Sequence, residues 1–114
     1  MKRILVATDT YKETIMFMED IGKILYEKKI PFEFDKHRMI IKSNDSMIVF
    51  VPETSGNMGL YQVRPFDYYM LFGDANWEST DWHKECISRT KIGAIQIDGW
   101  DELIKIIKGD GHEI

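Results

Sequence analysis

Three apolar stretches of the sequence each run into an aspartate, and this pattern constrains the fold more than any other feature. The stretches cover residues 4–9, 69–74 and 93–98, and they end in Asp9, Asp74 and Asp98. Each is followed by residues typical of a helix start, as expected for strands of a parallel sheet. If the three strands are neighbours, the aspartates lie beyond their carboxyl ends, where open α/β sheets bind ligands.

The remaining local signals predict an alternation of helices and strands. Residues 3–8 contain a continuous apolar run at positions 4–7, typical of a strand that is buried on both faces. Thr10 and Glu13 have the spacing of a capping box, which predicts that a helix starts at Thr10. This helix cannot continue past Pro31. The other predicted elements are a short strand over 32–35, an antiparallel hairpin of 38–42 against 46–51, strands over 67–73 and 92–97, a helix over 80–90 and a final helix that stops at Gly109.

This order predicts a single α/β domain over residues 1–114. The expected architecture is a three-layer sandwich with a mixed, mostly parallel sheet of five or six strands and an antiparallel hairpin. Residues 52–66 have neither helical nor strand periodicity, and segments of this length without structure are often functional or disordered.

Charge and cysteine content narrow the class of protein. The formal net charge of −4 argues against a protein that coats nucleic acid through bulk charge, but it is compatible with a local basic patch. Cys86 is the only cysteine, as is typical of a reducing compartment. No apolar run approaches the ~20 residues that span a membrane, and the first nine residues become acidic too early for a signal peptide. We expect a cytoplasmic protein without a membrane partner, in the host cytoplasm if it is viral.

The three aspartates have two competing interpretations. Carboxylates at the edge of a sheet can hold a divalent cation, as in phosphoryl-transfer and nuclease sites. Aspartate in a strand-to-helix loop also caps the following helix, and the position of Asp98 predicts that it is such an N-cap. Capping explains Asp9 and Asp74 less well, because Thr10 already supplies a cap and Asp74 lies several residues before the next helix.

A phosphate-binding loop is absent from the sequence. Nucleotide-binding α/β proteins normally carry a glycine-rich loop after their first strand. Residues 8–12 contain no glycine, and the negative charge of Asp9 would repel a phosphate. The sequence therefore argues against a conventional nucleotide hydrolase.

The order of the segments resembles the ATPase core of phage large terminases and superfamily 2 helicases, without its Walker A loop. Residues 4–25 resemble the strand and long helix of that core, residues 38–51 resemble its hairpin, and residues 67–75 resemble its Walker B strand. The resemblance implies a P-loop-like core without a P-loop. It implies no ATPase activity, because Gly73 and Asp74 replace the Asp-Glu pair of the Walker B strand.

A second resemblance is to small restriction-like nucleases, which hold a metal with a carboxylate on one strand and a Glu-x-Lys motif on the next. Residues 33–36 depart from this motif by one residue, and an exposed edge strand with solvated charges is the favoured interpretation. Asp81, His83 and Cys86 also lie close together in the sequence. A fourth metal ligand is not evident, so a helix-start aspartate and a core cysteine explain them better.

The favoured function is a non-catalytic binding or adaptor module, such as a small accessory protein of a phage or mobile element. Its protein or nucleic-acid partner would contact the strand ends and residues 52–66. Exposed aromatics near an arginine in this region suit a protein interface or stacking on a base. The alternative is that these aromatics cover the rim of the sheet. No cofactor is expected. Two other functions remain open: a phosphodiesterase or nuclease that uses Asp9 and Asp74 with Mg²⁺ or Mn²⁺, and a sensor of a small ligand such as a nucleotide. The residues expected to contact the partner or ligand are Thr8, Thr10, Asn57, Tyr61, Arg64 and Trp77.

Overall fold

The described residues form a mixed six-stranded sheet with two helices packed against it. The structure, a computed structural model, describes residues 2–8, 10–52, 66–71, 90–97 and 99–109. Neither of the two helices in these ranges has the length and apolar character needed to cross a membrane. In chain order the elements are β1 (Lys2–Thr8), α1 (Tyr11–Glu27), β2 (Glu33–Asp35), β3 (Ile40–Ser43), β4 (Ser46–Pro52), β5 (Phe66–Leu71), β6 (Thr90–Gln96) and α2 (Trp100–Lys108).

The strand order is β2-β3-β4-β1-β5-β6. β1 lies between β4 and β5 and is parallel to both, and β6 is parallel to β5. β3 pairs antiparallel with β4, and β2 pairs antiparallel with β3. The three strands that run toward an aspartate, β1, β5 and β6, are therefore parallel neighbours. This confirms that the three strands are neighbours, which is the condition for their carboxyl ends to lie at one edge of the sheet.

The predicted hairpin and the short strand before it are both present. β3 and β4 pair in a register that sets Ile41 opposite Ile48, and a turn at residues 44–45 joins them. Asn44 has a φ of 52°, a left-handed conformation that asparagine tolerates better than most residues. β2 follows the prediction for residues 32–35 and occupies one edge of the sheet.

Helix α1 ends where the sequence predicts, in a Schellman motif. Lys29 has a φ of 57°, and its N–H donates to the carbonyl oxygen of Tyr26 at 3.1 Å. The N–H of Ile30 donates to the carbonyl oxygen of Leu25 at 2.9 Å. Ile30 and Leu25 also pack in the same core cluster, which is the hydrophobic contact that accompanies this motif.

Both faces of β1 are buried, as its continuous apolar run predicts. Ile4 and Val6 belong to a core cluster with residues of α1 and α2, so both described helices pack on the same face. Leu5 and Ala7 belong to a second cluster on the opposite face, with residues of β3, β4 and β5. All four side chains have no exposed surface. The fold is thus mixed α/β with an apolar layer on each side of the sheet.

The start of α2 corrects one prediction. Gly99 is the N-cap, with φ −164° and ψ 172°, and the helix begins at Trp100. The prediction that Asp98 is the N-cap is wrong, because Gly99 holds that position and has no side-chain oxygen for the first N–H groups. Asp101 and Glu102 in the first turn place negative charge near this helix end instead. Asp98 itself and the helix predicted over 80–90 lie outside the described residues.

Candidate functional site

Four parallel strands end at the same edge of the sheet, and we call this edge the strand-end rim. It consists of Thr8 at the end of β1, Pro52 of β4, Leu71 of β5 and Gln96 of β6. From β1 the chain passes through α1 to strands on one side of β1, whereas β5 and β6 lie on its other side. The end of β1 is therefore a topological switch point, the position where open α/β sheets bind ligands.

Buried hydroxyl groups join the end of β1 to the first turns of α1. Thr14 Oγ1 donates to the carbonyl oxygen of Thr10 at 2.7 Å and also bonds to Thr8 Oγ1. A hydroxyl has one hydrogen, so Thr8 donates in the second bond and Thr14 accepts. Neither Thr8 nor Thr14 has exposed surface. The bond between them holds strand and helix together at the switch point.

Thr10 closes the N-terminus of α1. Its backbone is extended, with φ −127° and ψ 160°, and its Oγ1 accepts a hydrogen bond from the N–H of Glu13 at 3.1 Å. This is the first half of the predicted capping box. Phosphates at helix N-termini bind to the same free N–H groups. The cap therefore occupies a donor that a phosphate-binding loop leaves free for its ligand.

The structure describes two of the six residues predicted to contact a partner or ligand. Thr8 lies at the rim but is buried, and its hydroxyl bonds to Thr14. Thr10 is exposed, and its hydroxyl caps α1. Contact with a ligand through these two residues stays a prediction. The other predicted site residues lie outside the described ranges: Asp9, Asp74, Asn57, Tyr61, Arg64 and Trp77.

The register of β1 and β5 gives the positions from which the chain continues toward Asp9 and Asp74. Ala7 and Leu71 are register partners on these adjacent strands. Asp9 is two residues beyond Ala7, and Asp74 is three residues beyond Leu71. Neighbouring strands lie about 4.8 Å apart. Asp9 and Asp74 therefore follow two adjacent strand ends in the sequence, and their pairing as two carboxylates stays a prediction.

Metal-ligating side chains do not cluster in the described part of the chain. Within it, no group of three or more His, Cys, Asp or Glu side chains is placed to hold a metal ion. Glu33 is exposed on β2 at the edge of the sheet, which confirms the edge strand with solvated charge. The cluster of Asp81, His83 and Cys86 lies outside the described residues.

Sequence reasoning missed the structural role of Thr14. A signal for it exists, because Thr14 precedes Met18, Ile21 and Leu25 at helical spacing, and all four are buried. A threonine on the buried stripe of a helix needs a hydrogen-bond partner, and it finds one acceptor one turn earlier, at the carbonyl of Thr10.

Comparison of the chain with protein-family models, with curated proteins and with solved structures finds no match. The resemblance to terminase and helicase ATPase cores therefore depends on the order of the segments alone.

Proposed function

We propose that the chain is a non-catalytic binding or adaptor module whose partner contacts the strand-end rim and residues 52–66. The observation that supports this is the closed N-terminus of α1 at the topological switch point. Thr10 Oγ1 accepts the Glu13 N–H there, and the buried Thr8 and Thr14 hydroxyls bond to each other. In a nucleotide hydrolase, helix N–H groups at this position are free to bind phosphate.

A protein partner fits the composition of this region better than a nucleic acid. Residues 52–66 contain one acidic and one basic residue, Glu53 and Arg64, in a chain of net charge −4. Binding to a phosphate backbone requires several lysines or arginines. Protein interfaces are instead enriched in tyrosine, tryptophan, methionine and arginine. Tyr61, Arg64 and Trp77 are of these types.

The proposed architecture is a three-layer sandwich with a P-loop-like core that lacks the P-loop. Support comes from the face of the sheet opposite α1 and α2, where Leu5, Val49 and Phe66 have no exposed surface. A face this completely buried requires a covering layer. An accessory protein of a phage or mobile element is the proposed setting, and it rests on the resemblance in segment order.

Affinity capture with matched variants tests the proposal. The tagged wild-type chain, a rim variant (Tyr61→Ala/Trp77→Ala) and a control variant (Met16→Ala) are each exposed to lysate of the cells that naturally make the chain. Met16 is exposed on α1 and is not among the residues predicted to contact the partner. We expect the wild type and the control to enrich the same protein, and the rim variant to lose it. Equal enrichment by all three proteins would contradict a rim contact.

Activity measurements separate the binding module from the two other functions. A nuclease predicts cleavage of labelled DNA or RNA that requires Mg²⁺ or Mn²⁺ and is lost in Asp74→Asn. A nucleotide sensor predicts heat of binding when nucleotides are titrated into the chain. We expect neither signal, and either one would replace the binding module with the corresponding alternative.

A further inference from the structure

In the part of the chain that the structure describes, no strand pairs with the outer side of β2. β2 is the terminal strand in the order, and β3 pairs with its inner side. Glu33 is exposed, and Phe34 retains 38% of its surface. The outer N–H and C=O groups of such an edge strand can pair with a strand of another chain.

Strand β2 has an apolar face and a face on which it carries two carboxylates. Phe34 is the register partner of Ile41, which packs in the core cluster beneath α1 and α2. A Cβ on Gly22 of α1 would lie 3.4 Å from the Phe34 ring, so this ring lies over the helix. Side chains alternate along a strand, so Glu33 and Asp35 point to the opposite face.

Hollows adjoin the strand on both sides. One of about 560 Å³ lies at the end of α1 and is lined by residues that include Tyr26, Ile30 and Phe32. A second, of about 330 Å³, shares Phe32 with it and extends to Glu33. A third, of about 180 Å³, is lined by Glu33, Asp35, Arg38, Ile40 and Lys42, so charges of both signs adjoin it. The space beside the edge is therefore largely apolar near the helix and charged on the other face.

We propose that the β2 edge binds an extended peptide that alternates basic and apolar residues and pairs with β2 as an additional strand. The apolar residues of such a peptide meet Phe34 and the hollow at the end of α1. Its basic residues lie opposite Glu33 and Asp35, where opposite charges across strands stabilise the pairing. In this mode of recognition, main-chain hydrogen bonds give affinity and the alternating side chains give specificity. The surface is separate from the strand-end rim and goes beyond the function proposed there.

A second copy of the chain fits this edge less well than a basic peptide. Two β2 strands related by a two-fold axis pair antiparallel, and centring them on Phe34 sets Glu33 of each copy opposite Asp35 of the other. Like charges directly opposite each other destabilise a strand pair. Lys42 neighbours Glu33 on the inner side, and the N–H of Arg38 donates to Asp35 Oδ1 at 3.0 Å. An added strand approaches both carboxylates from the outer side, where a basic residue can pair with them.

Fluorescence polarisation with a defined peptide tests the proposal. The probe is labelled Lys-Val-Lys-Val-Lys-Val-Lys, and the composition control is a block peptide with its four lysines together and its three valines together. We expect the alternating peptide to bind at least about fivefold more tightly, because only it can place lysine on one face and valine on the other. Equal affinities, or no binding of the alternating peptide at saturating protein, would overturn the proposal.

Two matched charge variants locate the site. Glu33→Gln/Asp35→Asn keeps an oxygen for the Arg38 N–H and should weaken binding about fivefold, by loss of two cross-strand ion pairs. Glu19→Gln/Asp20→Asn removes the same two charges from the exposed side of α1 and should change the affinity less than about twofold. Equal weakening by both would mean bulk attraction and would overturn the proposal. Tyr61→Ala/Trp77→Ala should bind the probe like the wild type, so the β2 edge and the rim can fail independently.

Discussion

Removal of the Thr14 hydroxyl should destabilise the protein more than removal of the Thr8 hydroxyl, although the two groups bond to each other. Thr14 donates to the Thr10 carbonyl and accepts from Thr8. In Thr14→Val the Thr8 hydroxyl stays buried and loses its acceptor. In Thr8→Val the Thr14 hydroxyl still donates to Thr10, and only its capacity as an acceptor is unused.

The structure sets the expected magnitudes. A buried donor without a partner costs about 1–3 kcal/mol, which is the expected loss for Thr14→Val. The Thr10 carbonyl keeps its bond from the backbone N–H of Thr14 at 3.0 Å, so its contribution to that loss is small. Thr8→Val should cost about 0.5–1 kcal/mol, the value of one ordinary hydrogen bond. Valine is β-branched like threonine, so neither change opens a large cavity.

The double variant Thr8→Val/Thr14→Val should be more stable than Thr14→Val alone. Replacement of both buried partners by apolar groups of the same shape is nearly neutral, because no polar group is left unpaired. The double-mutant cycle should therefore show a coupling free energy close to the sum of the two single losses, about 1.5–4 kcal/mol.

Urea denaturation followed by far-ultraviolet circular dichroism gives the four free energies of unfolding by linear extrapolation. The three variants should unfold with the slope of the wild type. Additive losses in the double variant would contradict the bond between the Thr8 and Thr14 hydroxyls. A larger loss in Thr8→Val than in Thr14→Val would contradict the direction assigned to that bond.

Three further changes test the helix ends and the edge. Lys29→Gly should stabilise the protein by about 0.5–1 kcal/mol, because glycine adopts the φ of 57° without steric cost. The control Lys28→Gly, at φ −87°, should destabilise it. Equal shifts of the thermal midpoint in the two variants would contradict this. Gly22→Ala should stabilise the protein by about 0.5–1 kcal/mol, because alanine is the better helix former. The new Cβ would lie 3.4 Å from the Phe34 ring, which is an ordinary contact. A lower urea midpoint would show that this ring cannot adjust. Lys2→Met should destabilise by about 1 kcal/mol, through loss of the 2.8 Å bond from Lys2 Nζ to the Ile106 carbonyl at the end of α2; an unchanged urea midpoint would exclude a net contribution of that bond.

Local signals were sufficient for most elements of the fold. The uninterrupted apolar run at positions 4–7 within residues 3–8 predicted a strand buried on both faces, and Thr10 and Pro31 set the limits of α1. The sequence did not predict the strand order, and the adjacency of the three strands that run toward an aspartate entered only as an assumption. The strand order depends on pairing between distant residues, such as Ile4 with Tyr68, and no local pattern specifies which buried strand lies beside which.

The rim was less predictable than the strands that form it. The bond from Thr8 to Thr14 exists because α1 turns back over β1, and neither residue signals the other in the sequence. The N-cap of α2 differs from the prediction by one residue. Burial of Leu103 and Ile104 fixes the rotation of this helix, and its first residue follows from that packing rather than from the nearest side chain able to cap.

Site-specific photocrosslinking at the rim decides whether the chain is a binding module. A benzophenone amino acid replaces Tyr61, within residues 52–66, or Met16, which is 55% exposed on α1. The two proteins are irradiated in the cells that naturally make the chain, and the adducts are identified by mass spectrometry. The proposal predicts a specific protein adduct from position 61 that is absent from position 16. No adduct from position 61, or the same adducts from both positions, would contradict it.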